Sequence, residues 1–394
     1  MYDLLVKNAR LYPMHLDAGE APVRTLAVSA GRIAAMGVPA NAPAKAVFDA
    51  ANRVVLPGFV DCHTHALYAG NRMAEHALKL QGASYADLAR AGGGIQATVT
   101  AVHAASEQQL VAETVPRLKA LQAEGITTVE IKSGYGLDLE NELKMLRAVR
   151  LLRLQLNMDI VPTFLGAHAV PNGHSREAYM SEVINTILPV VVQERLAESV
   201  DIFAETIGFS VENVRELFMQ ATKAGLKTRA HTDQLTNIGA TATAAAHGAL
   251  SCDHLEYATE DDVLAMHQAG SVAVLLPGAF YFLRERHKPP IELFRRHHVP
   301  MAVATDLNPG SSPIASLLAV MHMGAITFGL TPSEILLGVT RNAAQALGRA
   351  DRIGSLTPDR HADFSIWDLP SPDFLLYQLG GLKPDAVFFK GNRV

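Results

Sequence analysis

Cysteine is scarce in this chain. Two occur in 394 residues, Cys62 and Cys252, and neither belongs to a C-x-x-C pair. A disulfide framework is therefore not expected, and reduced thiols in a cytoplasmic compartment are. Charge is also sparse: 19% of residues are charged against 49% hydrophobic, with a net charge of −5. Such a composition excludes a disordered chain. No Lys/Arg run forms a stripe that could follow a phosphate backbone, so nucleic acid is not an expected partner. No apolar stretch reaches the roughly 20 residues of a membrane span. The start, Met1-Tyr2-Asp3-Leu4, lacks the basic and apolar regions of a secretion signal. The length suits one large domain plus a smaller one.

What is present is organised in three parts. The first 55 residues read as short strands, Leu4–Leu11, Thr25–Ala30, Arg32–Met36 and Ala46–Ala50, separated by turns. The carboxyl end is similar, with strands over Asp363–Trp367 and Ala386–Lys390. Between them, apolar runs alternate with amphipathic stretches. The runs are Gly58–His65, Ile126–Ile131, Ile160–Ala167, Val200–Glu205, Lys227–His231, Leu250–His254, Ser271–Leu276 and Pro300–Thr305. Helical segments are predicted over Ser106–Glu124, Leu139–Leu156, Ser210–Ala224 and Thr259–Ala269, with Gly225 and Gly270 as stop signals. This alternation predicts an α/β fold, a (β/α)8 barrel of the TIM type over residues 56–351. A doubly wound sheet is the rival, but it would focus polar residues at one switch point. Here they gather at the carboxyl ends of many runs. Neither terminal piece can hold a core alone, so residues 1–55 and 352–394 are expected to combine into a small β-sandwich.

The run ends carry the chemistry. The first ends in Asp61, His63 and His65; the two histidines, two apart, project from one face of a strand. Others end in His168, in His231-Thr-Asp-Gln234, in Asp253-His254 and in Asp306-Leu-Asn308. A catalytic metal site needs three or four protein ligands and an open position. His63, His65, His231 and Asp306 supply three nitrogens and one oxygen. His168 and His254 are left as supporting or acid/base groups, or as buried histidines bonded to backbone. Lys132 follows the second run and could bridge two metals if modified; with four strong ligands, one metal and an unmodified lysine are favoured. Residues 66–105 form an unusually long connection that includes Arg72 and the triple glycine before Ile95. Arg72 can bind a carboxylate bidentately, although a solvated arginine has the same signature. Backbone N–H groups and hydroxyls of Asn308–Ser312 could cradle an anion, or form an ordinary turn.

Several segments are distinctive: Pro57–His65 (PGFVDCHTH), Leu80–Tyr85 (LQGASY), Gly92–Ile95, Glu130–Leu137 (EIKSGYGL), Thr163–Pro171 (TFLGAHAVP), His231–Gln234, Ala273–Gly278 and Thr305–Ser312 (TDLNPGSS). Together they resemble the amidohydrolase superfamily, and within it the branch that opens the ring amide of 4-imidazolone-5-propanoate to N-formimidoyl-L-glutamate during histidine breakdown. The resemblance runs from about residue 55 to the end of the barrel, and the terminal pieces fit too. It implies one zinc or iron ion per subunit on His63, His65, His231 and Asp306. It implies a small anionic substrate touched by Arg72, Tyr85, Tyr135, His168, Gln234, Asn308, Gly310 and Ser311. Asp306 and His254 would then handle protons. Gln234 stands where some relatives have Glu; an amide cannot accept a proton as a base, so hydrogen bonding is assigned to it. Cys62 and Thr232 also depart from the relatives' Pro and Ala. A homodimer is the expected assembly. Another amidohydrolase, such as a heterocycle deaminase, would use the same ligands with different loops.

Overall fold

The computed structural model describes residues 1–15, 23–82 and 93–394. Five strands come first: β1 (Tyr2–Leu11), β2 (Val23–Ser29), β3 (Arg32–Met36), β4 (Ala44–Asp49) and β5 (Val54–Pro57). Eight more follow: β6 (Phe59–Asp61), β7 (Ile126–Lys132), β8 (Asp159–Ala167), β9 (Ser199–Ala204), β10 (Lys227–Thr232), β11 (Ser251–His254), β12 (Val272–Leu275) and β13 (Met301–Val303). The chain ends with β14 (Phe364–Trp367), β15 (Ala386–Phe389) and β16 (Asn392–Arg393).

Strands β6 to β13 form one parallel sheet in sequence order. All eight expected runs are strands of it. Its two edges meet beyond the strand ends. Thr64 bridges Leu307 in parallel, the Asp306 N–H donates to His63 O at 3.0 Å, and the His65 N–H donates to Leu307 O at 3.0 Å. Asp61 adds a side-chain tie, accepting from the Thr305 N–H (3.1 Å) and hydroxyl (2.6 Å). Barrel closure thus sets Asp306 beside His63 and His65.

The connecting helices follow the predicted signals. Glu107–Gln122 starts at Ser106 and Val211–Lys223 at Ser210, each serine accepting from the N–H three residues on, with Gln109 and Asn213 returning the bond. Such caps are worth about 1 kcal/mol each. Asp138 caps Leu139–Gln155 by accepting from the Asn141 N–H, and Glu260–Ala269 ends at Gly270 with φ +70°.

The chain ends combine, as expected, around a core of their own. One eight-stranded mixed sheet runs β16-β15-β14-β5-β1-β2-β3, with β4 added in parallel to β1. Leu4, Val6, Leu26, Val28, Val55, Phe364, Ile366 and Phe388 fill that core. Strand β5 belongs to this sheet and β6 to the barrel, so Gly58 is the joint between them. A Cβ there would stand 2.1 Å from the Thr127 hydroxyl, which only glycine avoids. No helix among the described residues is long and apolar enough to cross a membrane.

Candidate metal centre and cavity

The ring nitrogens of His63, His65 and His231 lie within 4.8 Å of one another, all buried. His231 Nε2 is 3.3 Å from His65 Nε2. Asp306 Oδ1 stands 3.5 Å from both His63 Nε2 and His65 Nε2. The structure therefore brings all four expected ligands together. His63 Nε2 is buried and lacks a hydrogen-bond partner. An orphaned buried nitrogen of this kind is costly. A cation would satisfy it, so the donor set fits a metal ion.

Buried carboxylates aim these rings. Asp253 Oδ2 lies 2.6 Å from His63 Nδ1, and Asp201 Oδ1 lies 3.0 Å from His231 Nδ1. Each carboxylate accepts the Nδ1 proton and leaves the Nε2 lone pair pointing to the site, the usual arrangement behind a metal-bound histidine. Behind them, Lys132 Nζ donates to Asp201 (2.7 Å) and Glu130 (2.8 Å), and Arg229 reaches Glu130 (3.1 Å) and Asp253 (3.2 Å). Burial would push the Asp201 carboxyl up, but His231 and Lys132 beside it hold it well below the usual carboxylate range. Lys132 loses proton affinity through burial and through Arg229, yet Asp201 and Glu130 outweigh both and raise its pKa. An ammonium so engaged agrees with an unmodified Lys132.

Burial, reinforced by neighbouring His231, holds His254 well below the ordinary imidazole range, so it is neutral at pH 7. It ends β11 in a left-handed backbone (φ +79°), and Leu255 repeats it (φ +70°). Asp306 likewise has φ +50°. Non-glycine residues rarely adopt this region, and such strain clusters at functional sites. At β11 it lets consecutive residues serve one site. Asp253 supports His63 while His254 lines the cavity.

That cavity, about 590 Å3, opens over the ligands. Tyr135, His168, Gln234, Asn308 and Ser311 line it, with His65, His231, His254 and Asp306 at its floor. Ile95, Ala169, Phe203, Ile207 and Leu235 supply an apolar wall. His168 stacks on His65 with ring centres 5.0 Å apart. Its Nδ1 donates to Gly134 O at 2.9 Å, leaving Nε2 as an acceptor. Burial lowers its pKa to about 4.

Three expectations meet a different geometry. Arg72 does not line this cavity: it forks onto Glu75 at 2.6 and 2.7 Å. Burial works to raise the Glu75 carboxyl, but Arg72, the Gly94 N–H and Lys79 hold it at about 2. Gly310 is beside Arg72, since a Cβ at 310 would stand 2.8 Å from Arg72 Nη1. The backbone N–H groups of Gly310 and Ser311 are not an open anion cradle. Asn308 Oδ1 already accepts both, at 2.8 and 2.7 Å, because a short amide side chain closes such a turn on itself. Tyr85 and part of the triple glycine lie outside the described residues.

Sequence reasoning missed the supports Asp201, Asp253, Glu130 and Arg229. A signal existed: Glu130 and Lys132 are two apart on β7, Arg229 and His231 two apart on β10, so each pair shares the barrel's inner face. Charged residues amid apolar strand positions needed partners, and the facing strands supply them.

The amidohydrolase family's sequence profile matches residues 54–394. An imidazolonepropionase of Mesorhizobium japonicum is 50% identical, covering 98% of this chain and 97% of its own. One of Hahella chejuensis is 48% identical, covering 98% of both. Among solved structures, a triazine hydrolase variant superposes with a TM-score of 0.77 at 15% identity, covering 99% of this chain and 94% of that one. A zinc-bound adenosine deaminase of Xanthomonas campestris gives 0.74 at 18%, covering 100% and 92%. At that identity the structural likeness speaks for the fold alone.

Proposed function

This chain belongs to the amidohydrolase family, and from that premise we propose that it hydrolyses the ring amide of 4-imidazolone-5-propanoate to N-formimidoyl-L-glutamate. The observation that carries this reading is the four-donor group opening into a cavity whose polar groups converge on it. About 590 Å3 suits a single small heterocycle.

One zinc or iron ion per chain, held by His63, His65, His231 and Asp306, would supply the Lewis acidity that makes water nucleophilic near neutral pH. The chain's own groups manage position and protons. Asp306 accepts a proton from the attacking water. Neutral His254 orients that water through its imidazole nitrogen. The water oxygen bonds to the carbonyl carbon and the ring C–N bond breaks. The departing nitrogen takes up the proton that Asp306 accepted, directly or relayed through His254. Gln234 hydrogen-bonds the substrate and transfers no proton. His168 Nε2 accepts from a substrate N–H, and Tyr135 closes the same wall. The propanoate lies toward Asn308, Ser311 and the Arg72 edge beside Gly310, where Arg72 divides its guanidinium between substrate and Glu75. Tyr85 is assigned to the same side. Two buried, unpaired cysteines support a cytoplasmic location.

The test is turnover of imidazolone propanoate, with metal analysis of the same sample. Formimidoyl-glutamate should form with one metal ion per chain, and His231→Ala should remove both metal and turnover. Two ions per chain in active protein would sink the single-metal site. Ammonia release from a purine or pyrimidine, without ring opening of the imidazolone, would redirect the assignment to a heterocycle deaminase.

A further inference from the structure

The segment Ser133–Leu137 follows β7 and carries Tyr135 between two glycines. Its backbone amides turn away from the cavity toward one buried side chain. Glu142 Oε1 accepts from the N–H groups of Gly134 (3.1 Å), Gly136 (2.8 Å) and Leu137 (3.0 Å), and Oε2 accepts from Gly134 at 3.2 Å. Glu142 is fully buried in the early part of the helix Leu139–Gln155. The loop is wrapped around a carboxylate that the chain itself provides.

Both glycines are required for this wrapping. Gly134 has φ +105°, and a Cβ there would lie 2.8 Å from Leu165 O and 2.9 Å from His168 Nδ1. A Cβ on Gly136 would lie 2.3 Å from the Glu142 backbone nitrogen. The other side of the loop faces the substrate cavity. Gly134 O accepts from His168 Nδ1, and Tyr135, 5% exposed, lies with its ring centre 5.4 Å from that of His168. His103 Nε2 donates to Gly136 O at 2.6 Å, which ties in the helix Ile95–Ala104. One carboxylate therefore fixes a peptide segment that sets two groups of the cavity: the Tyr135 ring and the protonated nitrogen of His168.

We propose that Glu142 is a positioning residue for substrate recognition, holding the 133–137 loop so that Tyr135 faces the cavity and His168 keeps its Nδ1–H form. This rests on the substrate reading above. It also has a consequence independent of any substrate. Without the carboxylate, Gly134 loses its anchor and the His168 proton is free to move to Nε2.

The experiment uses the zinc-loaded protein and Glu142→Gln, which keeps shape and removes the charge. KM for imidazolone propanoate should rise about tenfold or more, the scale of a lost charge-assisted hydrogen bond, with zinc content unchanged and kcat less affected. Tyr135→Phe measured alone and combined with Glu142→Gln adds a second readout. If Glu142 acts through the loop, the double variant's KM should stay within about twofold of the worse single variant. Long-range proton–nitrogen NMR of the histidine rings, assigned with His168→Gln, should show His168 leaving its Nδ1–H form in Glu142→Gln. If the parent does not turn over imidazolone propanoate, the substrate reading fails while the NMR result still judges Glu142. Should Glu142→Gln not fold, Glu142→Asp carries the same measurements, with effects of the same sign. Unchanged KM and an unchanged His168 signal in the folded variant overturn the proposal, as do KM effects that multiply in the double variant.

Discussion

The two sheets of this molecule bury different things. The sheet made by the chain ends closes over Leu, Val, Ile and Phe, with Phe364 stacked on Phe388 at 4.5 Å. Inside the barrel, the strands instead enclose Glu130, Lys132, Asp201, Arg229 and Asp253, all fully buried. The first is cohesive because apolar area leaves water, a force without direction. The second is held by ions whose desolvation is offset only while every partner is present. The difference teaches where this protein tolerates change. An aliphatic core can lose a methyl group and close up. A buried ion network cannot lose one member without stranding the others.

Lys132→Met should break the comparison open most clearly. It leaves Glu130 and Asp201 without their shared cation, so urea unfolding should show a loss of about 3–5 kcal/mol. Bound metal should fall as well, because Asp201 no longer aims His231. A loss smaller than that of a methyl deletion in the terminal sheet would refute the contrast.

The next effect is a pH slope confined to the barrel. The folded pKa of His168 is about 4, lowered chiefly by burial, against 6.5 in the open chain. Above pH 6.5 neither state is protonated and His168 contributes no pH dependence. Between 6.5 and 4 the unfolded chain takes up a proton that the folded chain refuses, so stability falls as pH falls. Below 4 the loss levels off. The slope is at most about 1.4 kcal/mol per pH unit. Urea unfolding of metal-free protein at pH 7 and 4.5, in the parent and in His168→Gln, should show the larger drop in the parent. Equal drops would remove His168 as the cause.

The smallest change sharpens the other side. Ile366→Val in the terminal sheet should cost about 0.5–1.5 kcal/mol. Metal content and KM should remain those of the parent. A change in either would show that the two sheets are more tightly coupled than their separate cores suggest.

The same contrast explains what was legible in the sequence. The barrel runs could be read because most are short, largely apolar stretches that alternate with helical segments, although β10 and β11 carry charged and polar residues. His63, His65, His231 and Asp306 could be read because a barrel gathers its strand ends, which turns scattered residues into one site. Partnership between strands could not be read. Asp201 pairs with His231 across 30 positions and Asp253 with His63 across 190, and local spacing carries no trace of either. Arg72 illustrates another blind spot. The long connection that holds it reads as a loop, but Arg72 leads directly into the helix Met73–Leu80, and helical spacing brings Glu75 onto its guanidinium. The Asn308 turn failed for a third reason. Its sequence shows the donors, but their nearest acceptor is the turn's own Asn308 side chain.

The joint at Gly58 has a consequence for how the protein is made. Strand β5 pairs with β14, which leaves the ribosome about 300 residues later, or roughly 15–60 s at ordinary elongation rates. Through that interval one edge of β5 waits without its neighbour, as does the edge of β6 that meets the chain after β13. Exposed edges of this kind invite pairing with other chains. A slow patch of translation between them, or a cut before β14, should therefore be harmful out of proportion to the few side chains it concerns: a strand made late completes one made early.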